Sequence, residues 1–130
     1  MDINVNTTVS FDLEKFTALL QYLDEINWIS EIGYYDDPEG KHKEIEADYF
    51  EQRMWKWITE CNGTMVFTIW DDMKEGYRRV LIDSSSLRSR LMDVANKAPA
   101  EFLKLGTGGD DLYVCDELLQ IFFYGAVTWA

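Results

Sequence analysis

The sequence holds little of what acid–base or metal chemistry is built from. Its one histidine, His42, lies in a charged turn between Lys41 and Lys43. A histidine-based triad would have to use it, yet no Ser or Cys stands in a Gly-x-Ser-x-Gly or comparable nucleophile setting. No catalytic residue is therefore expected. The two cysteines, Cys61 and Cys115, are far apart in the chain. With a single histidine they would leave most of a tetrahedral zinc site to carboxylates, so neither a metal nor a cofactor is expected. Two distant cysteines beside a large apolar core read as buried, reduced thiols rather than as a disulfide.

Other absences narrow the class further. No segment approaches the roughly 18 apolar residues of a membrane span, and the opening Met1-Asp2-Ile3-Asn4-Val5 has no basic region followed by an apolar one. A soluble cytoplasmic protein is the expectation. Asn62-Gly63-Thr64 fits the glycosylation pattern, but without a secretory signal it reads as a turn. The only prolines, Pro38 and Pro99, define no linker, and no repeat is visible. A single domain spanning residues 1–130 follows. Gly106-Thr107-Gly108-Gly109 lacks the Lys-Ser/Thr pair of a phosphate loop and ends in Asp110 and Asp111, so it reads as a surface loop.

Basic residues are scarce: 12 Lys and Arg stand against 24 Asp and Glu, a net charge of −12. A surface of that sign repels phosphate backbones and anionic membranes, so neither nucleic acid nor membrane is an expected partner. Apolar and aromatic residues are plentiful, with five Trp, seven Tyr and seven Phe. That supply can offset the entropy of ordering one core.

The periodicities predict a mixed chain. Ile3, Val5, Thr7, Val9 and Phe11 alternate with polar residues as in a strand with one buried face. From Asp12 to about Ile26, apolar residues recur at three- and four-residue steps, predicting a helix capped by Ser10 or Asp12. Trp28 to Tyr35 reads as a strand entering a turn at Asp37-Pro38-Glu39-Gly40, with a hairpin return through Lys41 to Ile45. Asp48 and Glu51 are spaced as a capping box for a helix that Asn62-Gly63 would stop. Trp55 lies off that helix's apolar stripe, which places it either at the surface or under the neighbouring hairpin.

Met65 to Trp70 and Tyr77 to Ile82 read as an antiparallel hairpin, and Ser84 to Ser86 offer caps for a helix through Ala98. Pro99 either closes that helix or starts a short one through Leu105. The last segment reads as a helix from Leu112 to about Tyr124, then a short strand from Ala126 to Trp129. The expected fold is α+β, a mostly antiparallel sheet with three to four helices on one face.

The position of the charge is more telling than its sum. Ten carboxylates lie between Asp24 and Glu51 against only Lys41 and Lys43, so eight of the twelve net negative charges fall in this segment. Trp28, Tyr34, Tyr35, Tyr49 and Phe50 are interleaved with them. Carboxylates steer encounter with a basic surface and aromatics supply contact area. Tyr34, Tyr35, Asp36, Asp37, Glu39, Glu44, Glu46 and Trp55 are the expected partner-binding residues. The competing reading makes the acids a solubilising surface and the aromatics core.

These features point to a non-enzymatic inhibitor that occludes a basic, nucleic-acid-handling protein such as a nuclease. A toxin immunity protein and a phage product directed against host defence both fit that description. Alternatives are a structural or assembly adaptor or chaperone of a phage or secretion system, binding through apolar surface, and an enzyme using carboxylates and a metal.

Overall fold

The computed structural model describes residues 2–4 and 10–129. Their order is β1 (Ile3–Asn4), β2 (Ser10–Phe11), α1 (Leu13–Leu19), β3 (Ile29–Tyr35), α2 (Phe50–Thr59), β4 (Thr64–Asp71), β5 (Gly76–Ile82), α3 (Ser84–Lys97), α4 (Pro99–Leu103) and α5 (Leu112–Tyr124). Single 3₁₀ turns lie at Leu23–Glu25 and Lys41–Glu44. The class is α+β with two antiparallel sheets, β1-β2 and β3-β4-β5. Five α-helices lie among the described residues, against the three or four expected.

The chain divides into two compact units, one of Met1–Tyr22 with Ser86–Ala130 and one of Leu23–Ser85. In the first, Ile3 pairs with Phe11 and Asn4 with Ser10, antiparallel. The ends of the expected single strand are thus two strands paired with each other; its middle, residues 5–9, lies outside the described residues. Helix α1 is capped as expected, Asp12 Oδ1 accepting from the Lys15 amide at 3.0 Å. It ends at Leu19 rather than near Ile26. There Gln21 Nε2 donates to the Ala18 carbonyl at 2.8 Å, and the Cys115 thiol donates to the same oxygen at 3.4 Å. The acceptor that another turn would have used is already satisfied.

Phe11 joins Phe16 and Phe102 in an aromatic cluster with ring centroids 6.4 and 5.6 Å away, and α5 packs against α1 and α4. Helix α5 ends at Tyr124, where Gly125 takes the left-handed φ of 81° that suits a C-cap. The strand expected from Ala126 to Trp129 does not form. Gln120, buried in α5, accepts the Thr128 and Trp129 amides at 2.8 and 2.9 Å through one side-chain oxygen. That satisfies backbone donors a strand would have paired.

In the second unit β4 is the central strand, pairing β3 from Ile29↔Ile69 to Tyr35↔Thr64 and β5 from Met65↔Ile82 to Asp71↔Gly76. Met65, Phe67, Ile69, Val80 and Ile82 are buried, as period-two alternation requires. Helix α2 packs on β4 with Met54, Trp55, Trp57 and Ile58 buried. The expected capping box is absent: Tyr49 is the N-cap with no side-chain cap bond, and the Asp48 amide instead donates to Gln52 Oε1 at 2.6 Å. After α2 it is Asn62 that turns left-handed, at φ 57°. Gly63 is required for another reason: a Cβ there would sit 2.2 Å from the Trp57 ring.

Candidate functional site

The acidic segment wraps strand β3. On one face of the sheet Tyr34 turns toward α2, its ring 5.8 Å from Trp57 and 6.4 Å from Phe50 by centroid. By alternation Glu31, Gly33 and Tyr35 belong to the other face. Their cross-strand partners there are Thr68, Val66 and Thr64, and Val66, Thr68 and Trp70 pair in turn with Leu81, Arg79 and Tyr77. Tyr35, Tyr77 and Leu81 stand 41, 52 and 44% exposed on that outer face.

After Tyr35 the chain reverses. Asp36 takes φ 53°, a left-handed conformation that Asp tolerates better than most residues. The turn closes with the Gly40 amide donating to the Asp37 carbonyl at 3.1 Å, as the sequence predicted. The hairpin return does not follow. Asp37 takes the Lys41 amide at 2.7 Å and the His42 amide at 3.1 Å on its two carboxylate oxygens. Those contacts wind residues 41–44 into a 3₁₀ turn, and β3 pairs with β4 instead. Asp37 Oδ2 also lies 2.5 Å from His42 Nδ1, and the imidazole stacks on Tyr34 at 3.8 Å with an 8° interplanar angle.

Asp37 is thus an anchor, its side chain 3% exposed. Burial alone would raise its pKa, but the His42 ring and the His42 and Lys41 amides hold it below the ordinary value. Burial raises the Tyr34 hydroxyl above its usual range, against the charge of Arg53. The Tyr34 hydroxyl and Arg53 Nε are both buried without a hydrogen-bond partner.

The expected binding residues therefore separate into two sets. Tyr35, Asp36, Glu39, Glu44 and Glu46 are exposed. Asp37 and Tyr34 are turned to the interior of the loop, and Trp55, 2% exposed, is core. Three of the expected contact residues thus have side chains turned inward, Tyr34 half-buried and the Asp37 and Trp55 side chains almost wholly buried. Off the stripe of α2, Trp55 is buried all the same, not at the surface. Cys61, expected to be buried, is exposed, whereas Cys115 is buried and both are free thiols.

A groove escaped the sequence reading because residues from three elements form it. Leu23, Ile26, Ile29, Ile32 and Phe50 supply its apolar surface, and Asp24, Glu31 and Glu51 its charge. At about 530 Å³ it falls in the size range of ligand clefts.

Few of these charges are neutralised internally. Of the ten carboxylates from Asp24 to Glu51, only Asp37 and Glu39 lie within ion-pair distance of a cation among the described residues. The Lys41–Glu39 pair, at 3.9 Å with side chains 67 and 76% exposed, contributes little. Among the described residues no group of three or more His, Cys, Asp or Glu could hold a metal ion, and no helix is long and apolar enough to cross a membrane. Comparison with protein-family models, with curated proteins and with solved structures finds no match.

Proposed function

We propose that this chain is a non-enzymatic, cytoplasmic inhibitor that binds and occludes a basic, nucleic-acid-handling protein, as a toxin immunity protein or a phage anti-defence protein does. The carrying observation is the concentration of exposed carboxylates around an anchored turn, of which only Glu39 has a cation, Lys41, within ion-pair distance among the described residues. Asp36, Glu39, Glu44 and Glu46 project from a loop whose conformation Asp37 fixes through three contacts. Charges held in place attract a basic cleft without first having to be ordered. Tyr35, exposed beside them, supplies the aromatic contact area that such interfaces concentrate.

The outer sheet face favours a second reading. Tyr35, Tyr77 and Leu81 are exposed there beside Trp70 and Val66. An adaptor or chaperone of a phage or secretion system would bind through such apolar surface.

A pull-down from lysate, eluted stepwise with salt, separates the two. The inhibitor reading expects a basic nuclease or similar protein to be retained at low salt and released as salt rises. Retention only of partners that survive high salt would overturn it in favour of the adaptor.

A further inference from the structure

We infer that the groove beside β3 is a strand-addition site, which takes an extended segment of the basic partner, with alternating cationic and apolar side chains, as a fourth strand of the sheet. This rests on the reading of a basic partner and names where that partner engages.

Four successive residues, Ile29, Ser30, Glu31 and Ile32, line the groove. The register of β3 against β4 shifts between Ile29 and Glu31, so regular alternation does not hold along these four, and it is the place of β3 at the end of the strand order that puts the groove beside a sheet edge. The other edge of β3 is held by β4, and β4 is its sole strand partner among the described residues. An outer strand presents unpaired N–H and C=O groups that template another chain, and natural sheets blunt such edges with charges (Lys above all), Pro or bulges. Ile29–Tyr35 contains no Lys or Pro, but it carries Glu31 and a register shift between Ile29 and Glu31, so a bound strand has to pair mainly from Glu31 onward and to answer that charge.

Charge selects the occupant. Asp24, Glu31 and Glu51 line the groove and no Lys, Arg or His does, so a segment carrying Lys or Arg is attracted and an acidic one repelled. Ile29, Ile32 and Phe50 offer apolar contact between those charges. A strand that places a cation at every second residue and an aliphatic side chain between matches both.

The test titrates a short capped peptide of alternating Lys and Val into the isotope-labelled full chain and follows backbone amide signals. A Glu/Val peptide and Lys/Val peptides N-methylated at alternate amides, in both registers, serve as controls. The expected result is binding that shifts Ile29–Ile32, is lost with the Glu/Val peptide, and weakens at least about tenfold with N-methylation in one register. Asp24→Lys with Glu31→Lys, both exposed, should weaken it by at least as much while leaving the remaining amide spectrum in place. Equal binding of all N-methylated peptides, or shifts confined to Asp36–Glu46, would overturn strand addition. If the natural partner's binding depends on Asp36, Glu39 and Glu44 but ignores the Asp24 and Glu31 reversal, the groove proposal fails and the inhibitor reading stands.

Discussion

Asp37 is expected as a contact, yet its carboxylate is engaged in holding its own turn. It precedes Pro38 at the first position of a turn, where Asp side chains characteristically accept amides further along the chain. That signal was present in the sequence; the capture of the His42 ring and its stacking on Tyr34 required the folded loop. Because its folded pKa is depressed, Asp37 contributes stability that is present above the unfolded value of roughly 4 and is lost as pH falls through the folded value. The stability gap between the parent and Asp37→Asn, measured by urea unfolding, should be full at pH 5 and shrink steadily below pH 4. A gap unchanged at pH 2.5 would contradict the anchor. The cysteines give a second test at this scale. Burial and the neighbouring Asp110 push the Cys115 thiol up to about 11, whereas Cys61 is exposed. A thiol reagent at pH 8 should label one cysteine rapidly in the native protein and two after denaturation, since the thiolate is the reacting form. Two labelled at comparable native rates would refute the burial of Cys115.

At the scale of elements, the sequence was most legible where periodicity was long and uninterrupted. The β4–β5 hairpin, α3 and the extent of α5 followed from alternation or helical spacing because one face of each is buried. Three of the departures involve side chains bonding to backbone. Gln21 satisfies the end of α1, Asp37 winds a 3₁₀ turn where a strand was expected, and Gln120 holds the chain after α5. None of these competes visibly in a hydrophobic pattern. The junction of α2 with β4 is another case, since Asn62-Gly63 predicts a helix stop while Gly63 also makes room for the Trp57 indole, which donates to the Thr64 carbonyl at 3.1 Å. Gly63→Ala should therefore cost about 1–3 kcal/mol, in the range of overpacking a filled site. Thermal or urea unfolding measures it. A neutral or stabilising effect would show that the indole can move aside.

For the whole molecule, the sequence located the charge but not its direction. A run of ten carboxylates was visible, yet which of them face water depends on the turn after β3, and the groove needs Leu23, β3 and the start of α2 brought together. The central claim is that the exposed acids of the Asp36–Glu46 loop steer a basic partner. Asp37 must be left intact in testing it, because reversing it would break the loop rather than recolour it. The direct measurement is the association rate of the basic protein recovered by pull-down with the parent and with an Asp36→Lys, Glu39→Lys, Glu44→Lys variant, at low and high salt. Exposed charges act mainly on encounter, so the rate should fall about tenfold or more at low salt, converge with the parent at high salt, and leave dissociation nearly unchanged. An unchanged association rate and salt dependence, with reversals at Asp110 or Asp116 weakening binding instead, would contradict the account.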